Sequence, residues 1–412
     1  MSAKPPIAPP PPRPGEPLRC MVLAGEASGD MHAAALVRAL RERWDGPVEF
    51  RGTGGEALRA EGVALLGHAD QMAVIGLFAV LGRARFFLRL LRTVRDEIAR
   101  WRPHLVLTID YPGFNLRVAA RARAKGFTTV HYICPQVWAW HRGRIPKIAR
   151  SLDRLITLFP FEPACFRETG LAVTFAGHPL VDRARESFAE PLADLPWGDA
   201  PRRVALLPGS RRGEIERILP ILLAAAAELD RDPGGCTFLI PASTPAMRAL
   251  AEAIVARTPE APRSWRIVDG QARQALRQAH AAAIASGTAT LEACLMRCPS
   301  ILVYRMGMNW LVGRAARRIL ATPFVGLVNI VAGRAVMPEL LHGDCNPANV
   351  AAALRPLLAD ETRRAAMLAE FDAVAHALGD GNASGRAADA ILETLRDKAA
   401  AAPVPPPGGD TP

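Results

Sequence analysis

An aspartate that ends an apolar stretch is the residue of this sequence best placed for acid–base chemistry. Pro103 to Asp110 reads PHLVLTID, which is typical of a buried strand, and the turn YPGFN follows it. Because ligands of open α/β sheets bind beyond the carboxyl ends of the strands, Asp110 is placed where a substrate would lie. A carboxylate there can accept a proton from an attacking hydroxyl. The same side chain could instead cap the turn or the next helix.

Two other turns combine glycine, hydroxyl groups and charge at the start of a predicted helix. PGSRRGEI at 208–215 follows one apolar stretch, and SGTATLEA at 286–293 follows another. Free N–H groups at a helix start attract anions, and an arginine can grip phosphate through two parallel hydrogen bonds. The pattern favours nucleotide binding over plain turns with solvated arginines. The candidate nucleotide-binding residues are Gly209, Ser210, Arg211, Ser286, Gly287, Thr288 and Glu292.

A third glycine-bearing turn lies near the start of the chain. Met21 to Leu40 reads as strand, turn and helix, with Gly25 and Gly29 allowing close approach of a ligand. The turn is not GxGxxG, and by its pattern alone a plain strand-to-helix turn is the simpler interpretation. Farther on, the segment PQVWAW at 135–140 follows a strand and could line a sugar or acyl site, or could be ordinary packing.

A basic and apolar segment covers Met72 to Ile98. Its apolar residues recur with a helical period and arginines are interleaved between them. Such a segment can lie in a membrane interface with its arginines on headgroup phosphates, or can be a wide core-facing helix with solvated arginines. The residues predicted for a membrane surface are Phe78, Arg85, Phe86, Arg89 and Arg92.

Composition narrows the classes of partner. The chain has 412 residues, half of them hydrophobic, and a formal net charge of +11. The charge favours an anionic partner, while no zinc knuckle, recognition-helix pattern or aromatic RNA motif supports a nucleic acid. The seven cysteines include no CxxC and the nine histidines no HxH or HxxxH, so we expect reduced thiols and no metal site. No uncharged apolar run reaches the roughly 18 residues of a membrane helix.

The elements that position these residues alternate between strands and helices in both halves of the chain. This predicts an α/β protein of two facing Rossmann-like, doubly wound domains with a cleft between them. The proline-rich leader lacks the apolar core of a signal peptide, and its composition predicts that it cannot pack. The predicted parts are a disordered leader 1–17, a first domain 18–185, a linker 186–202, a second domain 203–375, C-terminal helices 376–398 that can return to the first domain, and a disordered tail 399–412.

Seven segments together carry a family resemblance. In chain order they are GEASGD at 25–30, IDYPGFN at 109–115, PQVWAW at 135–140, GHPLVD at 177–182, PGSR at 208–211, SGTATLE at 286–292 and LVNIVAGR at 327–334. They resemble the lipid-A-disaccharide synthases along nearly the whole chain, the two proline-rich ends excepted. The resemblance implies the glycosyltransferase-B fold and an inverting, metal-independent mechanism without a cofactor, because the UDP-sugar is a substrate.

The resemblance also implies a reaction and a cellular place. UDP-2,3-diacylglucosamine condenses with 2,3-diacylglucosamine 1-phosphate, known as lipid X, to give a tetraacyl disaccharide 1-phosphate and UDP, a step of lipid A biosynthesis. The implied partners are these two acylated glucosamines and an anionic membrane surface, with no nucleic acid. A homo-oligomer is compatible with it. The implied location is cytoplasmic, peripheral on the inner face of the cytoplasmic membrane.

The resemblance also implies roles for individual residues, according to the motif position that each one matches. Asp110 matches the catalytic aspartate. The nucleotide-side matches are Ser210, Arg211, Ser286, Gly287, Thr288, Glu292 and Asn329. On the acceptor side are Glu26, Ser28, Asp30 and Gln136.

The sequence departs from the family pattern at three positions. Ala33 stands where glycine is usual, Val328 where proline is common, and Gly113 where a second acidic residue is often seen. The last change removes a rival base and places more weight on Asp110. The alternatives are another UDP-sugar glycosyltransferase or epimerase, or a non-enzymatic anionic-lipid-binding protein. A Rossmann oxidoreductase would need a GxGxxG turn that the chain lacks.

Overall fold

Parallel β-strands joined by helices build two separate sheets in this chain. The computed structural model describes residues 8–72, 84–139, 142–305 and 322–401. The first unit runs to Pro179 and resumes at Gly381, and the second unit spans Leu180–Asp380. Each unit is a parallel sheet with helices packed on it, which confirms the predicted doubly wound α/β class.

The sheet of the first unit has seven parallel strands in the order β3-β2-β1-β4-β5-β6-β7. Strand order reverses between β1 and β4, which pair directly. Ligands of such sheets bind beyond the carboxyl ends of the strands at this switch point. The strands are β1 Leu18–Ala24, β2 Val48–Gly54, β3 Ala64–His68, β4 Leu105–Ile109, β5 Thr128–Tyr132, β6 Arg154–Thr157 and β7 Ala172–Phe175.

The central strands are apolar because helices cover both of their faces. Side chains alternate across β1: Val22 packs in one apolar cluster, and Met21 and Leu23 pack in another on the opposite face. All residues of β4 and β5 are buried. The helices of this unit are Ala27–Arg43, Glu56–Ala60, Ala69–Met72, Ala84–Trp101, Pro112–Arg123, Ile145–Ala149 and Ala383–Ala400, with 3₁₀ turns Arg142–Arg144 and Pro163–Phe166.

The sheet of the second unit has six parallel strands in the order β10-β9-β8-β11-β12-β13. Its strands are β8 Arg202–Leu207, β9 Cys236–Ala242, β10 Trp265–Asp269, β11 Ala281–Ala285, β12 Ser300–Tyr304 and β13 Glu339–Leu341. Its helices are Leu180–Ala189, Arg212–Asp230, Pro245–Val255, Ala272–Gln278, Ala289–Leu295, Leu327–Ala332, Pro347–Ala359 and Glu361–Ala377.

The units divide at different residues from those that composition suggests. Helix Leu180–Ala189 belongs to the second unit, so that unit begins before the predicted linker 186–202. The linker residues form hydrogen bonds with the second unit. The Trp197 indole donates to Gln278 at 3.0 Å, and the Gly198 N–H donates to Thr237 at 2.8 Å. At the other end, helix Ala383–Ala400 packs into the apolar cluster of the first unit.

The described part of the proline-rich leader contacts the first unit at a few residues. Pro12 is buried, Ala8 packs against an apolar cluster of the first unit, and the Trp44 indole donates to the carbonyl of Glu16 at 2.9 Å. The composition did not predict these contacts, while residues 13–17 remain exposed as a leader that cannot pack would be. Proline restricts the unfolded chain, so ordering such a segment costs little entropy and a few contacts suffice.

Candidate active site

The turn after β4 holds Asp110 in an unusual backbone conformation. Asp110 and Tyr111 have φ values of 47° and 46°, a left-handed region that non-glycine residues rarely adopt. Asn115 fixes this turn, because its side-chain amide lies 3.1 Å from the carbonyl of Leu23, 3.0 Å from that of Ile109 and 2.8 Å from that of Asp110. A strained backbone that is held this firmly is typical of a functional site.

The Asp110 carboxyl is partly buried, and burial raises its pKa above the usual aspartate value, opposed by a hydrogen bond from the Tyr111 backbone. A higher pKa makes the carboxylate a stronger base, so long as the working pH keeps it ionised. The geometry therefore supports the predicted place of Asp110 beyond a strand end, with a carboxyl suited to proton transfer.

Asp110 opens on a cavity of about 270 Å³ within the first unit. Gln136, predicted for the acceptor side, lines the same cavity and is exposed. The full lining comprises Asp110, Pro112, Ile133, Cys134, Pro135, Gln136, Val137, Arg144, Leu158, Phe159 and Glu162. The turns after β4, β5 and β6 supply these residues, so three neighbouring strand ends build the cavity.

Glu162 is an acidic residue of this cavity that the sequence analysis did not single out. Its side chain is buried, and one carboxylate oxygen accepts from the N–H groups of Leu158 at 3.1 Å and Phe159 at 3.0 Å. Its other oxygen accepts from the Trp138 indole at 3.1 Å. Burial raises the pKa of Glu162 to about 7, against these N–H donors. The available signal was its place in PFEP at 160–163, just beyond a strand as Asp110 is.

Trp138 has a packing role. It is buried, and its ring meets the rings of Phe159 and Phe161 edge to face at centroid distances of 6.4 and 5.3 Å. It holds the β5 turn against the β6 turn through Glu162 and does not line the cavity. Trp140 lies outside the described residues.

The turn GEASGD at 25–30 adjoins the Asp110 turn. The ring of Tyr111 covers Gly25 so closely that a Cβ there would lie 2.6 Å from the ring. Glu26 and Ser28 are exposed at the start of helix Ala27–Arg43, as an acceptor-side role requires. The charge of Glu26 and the burial of the Tyr111 hydroxyl both raise the pKa of Tyr111, burial more strongly.

Asp30, the third acceptor-side candidate, faces the interior. It is buried, and its carboxylate accepts from the N–H groups of Gly55 at 2.6 Å, Ala57 at 2.9 Å and Leu58 at 3.2 Å. It thereby satisfies the free N–H groups at the start of helix Glu56–Ala60. In this structure Asp30 is a structural cap, which explains the glycine at position 55: a Cβ on Gly55 would lie 2.8 Å from the Asp30 carboxylate.

In the second unit, the turn after β8 is already occupied by a carboxylate. Gly209 has φ of 116°, and the N–H groups of Ser210 and Arg211 donate to one oxygen of Glu214 at 3.1 and 3.3 Å. The other oxygen accepts from the Arg211 guanidinium at 3.2 Å. The donors predicted for phosphate thus surround an acidic side chain, which stands where an anion would bind.

The turn after β11 leaves its groups more open. Gly287 has φ of 149° with open space around its Cα, and Gly287 and Thr288 are exposed. Burial raises the pKa of Glu292, while the charges of Arg273 and Arg183 oppose it. The nucleotide-side role of Ser286, Gly287, Thr288 and Glu292 stays a prediction.

Asn329 is more enclosed than a ligand-binding role suggests. It is buried, its oxygen accepts from the N–H groups of Val336 and Met337 at 2.8 Å each, and its amide nitrogen donates to Glu339 at 2.8 Å. Glu339 also accepts from the N–H of Gly326 at 2.9 Å. In this structure, Asn329 orders the chain before β13, and its nucleotide-side role stays a prediction.

Helix Ala84–Trp101 carries the predicted membrane surface. Leu90, Val94 and Ile98 are buried and Phe86 is half-buried against the same cluster, whereas Leu88 is 55% exposed. Arg85, Arg89 and Arg92 are exposed. The core-facing interpretation therefore holds for one side of this helix, and Phe86 lies on that side. Phe78 lies outside the described residues.

The described ranges contain no metal-binding cluster and no membrane-spanning helix. No group of three or more His, Cys, Asp or Glu side chains there is arranged to hold a metal ion. No helix in those ranges is both long and apolar enough to cross a membrane.

Comparison of folds identifies the architecture. A UDP-GlcNAc 2-epimerase from Neisseria meningitidis, solved bound to UDP-GlcNAc, superposes with a TM-score of 0.57 at 11% identity, covering 92% of this chain and 100% of that one. MurG from Acinetobacter baumannii also superposes with a TM-score of 0.57, at 12% identity over 92% of this chain and 100% of that one. At such identities the likeness speaks for fold alone. It confirms the predicted glycosyltransferase-B fold.

Comparison of sequences is more specific. A lipid-A-disaccharide synthase from Syntrophus aciditrophicus (strain SB) is 38% identical over 379 residues, which are 91% of this chain and 97% of that protein. The sequence pattern of the lipid-A-disaccharide synthetase family matches residues 20–388. With the two parallel sheets and the aspartate beyond β4, these matches establish that the chain belongs to the lipid-A-disaccharide synthetase family, the glycosyltransferases of lipid A biosynthesis.

Proposed function

We propose that this enzyme joins the diacylglucosamine of a UDP-sugar to 2,3-diacylglucosamine 1-phosphate with inversion at the anomeric carbon, and that Asp110 is the base. The observation that carries the proposal is the Asp110 carboxyl. It follows β4, one of the two strands of the switch point, opens on a cavity beyond the strand ends, and has a raised pKa. Family membership supplies the two substrates.

In the proposed step the Asp110 carboxylate accepts the proton of the acceptor hydroxyl. The hydroxyl oxygen forms a bond to the anomeric carbon of the donor sugar, and the bond from that carbon to the diphosphate oxygen breaks. UDP leaves with the electron pair of that bond. Attack from the face opposite the leaving group inverts the anomeric centre, so no covalent sugar–enzyme intermediate is needed.

The second unit supplies the donor site in this proposal. The turns after β8 and β11 offer backbone N–H groups, hydroxyls and Arg211 to the diphosphate, which stabilise its developing charge. Glu292 is placed for the ribose hydroxyls. These groups need no cofactor or divalent metal to bind the nucleotide. The diphosphate replaces the Glu214 carboxylate as partner of the Ser210 and Arg211 N–H groups.

The first unit also meets the membrane in this proposal. Arg85, Arg89 and Arg92 are exposed, with exposed Leu88 beside them, and such a surface suits anionic headgroups. The enzyme would thus act peripherally at the cytoplasmic face of the inner membrane, where acylated substrates are dissolved.

The deciding experiment supplies both substrates in detergent micelles and follows UDP release and the disaccharide product together. We expect equal amounts of UDP and disaccharide, dependence on the acceptor, retained activity in EDTA, and an inverted anomeric centre in the product. UDP release or sugar isomerisation with the donor alone would instead indicate epimerase chemistry. Retention of the anomeric configuration would exclude Asp110 as base of a single displacement.

A further inference from the structure

A second cavity in the first unit, of about 410 Å³, has no role in the steps above. It lies between helix Pro112–Arg123 and the segment that contains helix Ile145–Ala149. Its lining residues are Pro112, Gly113, Leu116, Arg117, Ala120, Arg121, Arg144, Lys147, Ile148 and Ser151. The lining contains four cations and no acidic residue.

The four cations are available to a ligand. Arg117, Arg121, Arg144 and Lys147 are all exposed, and within the described ranges none makes a side-chain hydrogen bond or an ion pair. Neighbouring arginines differ: Arg123, on the same helix as Arg117 and Arg121, lies 3.2 Å from Asp153. Like charges lining one concave surface repel each other and raise the local concentration of anions.

The cavity also has an apolar part. Ile148 is buried in a cluster with Ala119 and Leu152, and Leu116 packs against that cluster. Arg117 and Arg121 are one helical turn apart on one face of their helix, and their methylene stems can cover apolar atoms while the charged ends reach solvent. The lining therefore suits an amphiphile with an anionic group rather than a bare inorganic ion.

This basic cavity adjoins the cavity of Asp110. Pro112 and Arg144 line both, so one ligand can occupy the two at once. A ligand with a hydroxyl in the Asp110 cavity would have its next groups against Arg144 and the Pro112 end of the helix. The acceptor proposed above has a phosphate on the same sugar as its hydroxyl, together with acyl chains.

We propose that the basic cavity binds the phosphate of the acceptor while the acceptor hydroxyl lies in the Asp110 cavity. The proposal rests on the proposed function for the identity of the acceptor. Arg144, which lines both cavities, and Arg121 and Lys147, which line only the basic one, are assigned as binding residues. An anionic phospholipid headgroup presents the same phosphate chemistry, and the test separates these two sources.

The test uses the double variant Arg121→Gln/Lys147→Gln in the full-length enzyme with acceptor dispersed in neutral detergent. We expect the acceptor KM to rise about tenfold or more, the scale of one or two charged hydrogen bonds. Because this binding is equal in ground and transition states, kcat and the UDP-sugar KM should stay close to wild type. Arg38→Gln/Arg59→Gln is the matched control, since it removes two exposed charges of the same unit and should leave every constant unchanged.

A dephosphorylated acceptor makes the assignment specific. The wild-type enzyme should use it poorly, and the double variant should use it no worse than wild type does. An equal loss with both acceptors would overturn the proposal, because the cations would then act on something other than the phosphate. An unchanged acceptor KM with the phosphorylated compound would overturn it as well.

Two binding measurements complete the test. Calorimetry of the acceptor without donor should show the same loss of affinity, and it decides this inference even if the wild type releases no UDP and the proposed reaction fails. Sedimentation with phosphatidylglycerol vesicles should show equal binding of variant and wild type. Lost vesicle binding with an unchanged acceptor affinity would assign the cavity to membrane headgroups and overturn the proposal.

Discussion

Two glutamates, one in each unit, make the same backbone hydrogen bonds in different surroundings. One oxygen of Glu162 accepts from two successive N–H groups, those of Leu158 and Phe159, and one oxygen of Glu214 accepts from those of Ser210 and Arg211. The remaining oxygen of Glu162 meets the buried Trp138 indole, whereas that of Glu214 meets Arg211, whose side chain is 72% exposed.

This difference in surroundings leads us to call Glu162 the fixed carboxylate and Glu214 the replaceable carboxylate, because we expect a bound anion to displace only Glu214. Glu162 is 2% exposed and holds two turns together around the Asp110 cavity, so no solute can take its place. The Glu214 side chain is 17% exposed and its partner Arg211 is 72% exposed, so an anion with more oxygens can reach and compete for the same donors. In the proposed function, the first unit supplies the base and the framework around it, and the second unit supplies N–H donors for an incoming anion.

The largest effect is expected at the base of the first unit. Asp110→Asn keeps the shape of the side chain and removes its basicity, so turnover should fall by about 10²–10⁴ while UDP-sugar affinity stays nearly intact. Turnover and melting temperature should be measured on one preparation, with Asp45→Asn as an exposed aspartate control in the same unit. A stable variant with near-normal turnover would remove Asp110 from the mechanism.

The pH dependence gives an independent check on Asp110. Because burial raises the pKa of Asp110, the acid limb of kcat/KM against pH should lie above the ordinary aspartate range. Activity should fall as pH drops through this pKa, since the protonated carboxyl cannot accept a proton. The limb should be absent from the residual activity of Asp110→Asn.

The fixed carboxylate, Glu162, should make the free energy of unfolding depend on pH. Burial raises the pKa of Glu162 from 4.5 to about 7. Between these two pH values the folded protein therefore holds a proton on Glu162 that the unfolded chain has lost. The contribution of this group is fully present below about pH 4.5 and is lost as pH rises through 7, a change of about 3 kcal/mol. Relative to Glu162→Gln, the free energy of unfolding of wild type should fall by about that amount from pH 4.5 to pH 7.

Glu97→Gln is the matched control, because the pKa of Glu97 is shifted in the opposite direction from that of Glu162. Burial alone would raise the pKa of Glu97, but hydrogen bonds from Arg51 and Arg100 outweigh burial and hold it below its usual value. Its contribution is present above its unfolded pKa and is lost at lower pH. Urea unfolding across the pH range measures both differences. Equal profiles for wild type and Glu162→Gln would mean that Glu162 stays ionised in the fold.

Substitutions at the replaceable carboxylate, Glu214, and at its partner Arg211 should have different effects on UDP affinity. Arg211→Ala should weaken UDP affinity by about 1.5–3 kcal/mol, the scale of a charged hydrogen bond, measured by calorimetry. Glu214→Gln removes the competing charge and should leave UDP affinity unchanged or tighter. If both variants weaken UDP equally, the pair serves only to shape the turn and the donor-site assignment fails.

Sequence patterns located the strand ends that carry the candidate site, because an apolar run followed by a glycine or proline turn is a local signal. Asp110 could be placed that way, and so could the turns after β8 and β11. Whether a polar side chain at a turn faces a ligand or the interior is not local. Asp30 caps a helix that begins 26 residues later, and Asn329 binds the chain around Met337.

Contacts between turns that are distant in the chain also could not be predicted from the sequence. Glu162 and the PQVW turn meet only because β5 and β6 are neighbours in the sheet. The basic cavity needs the helix that begins at Pro112 beside the one that begins at Ile145. The contacts of the leader and of the linker also depend on partners distant in sequence: the Trp44 indole donates to the carbonyl of Glu16, and the Trp197 indole donates to Gln278.

The smallest effect per residue is expected on the exposed face of helix Ala84–Trp101. Arg85, Arg89 and Arg92 should each contribute about 1 kcal/mol to binding of anionic bilayers. Reversing all three to glutamate should release the enzyme from phosphatidylglycerol vesicles, and raising the salt concentration should weaken wild-type binding because exposed charges are screened. The control Arg257→Glu/Arg266→Glu/Arg363→Glu makes the same change in net charge at exposed positions of the second unit, and it should stay bound. Equal release of both triple variants would show that net charge alone, and not this helix, holds the enzyme on the membrane.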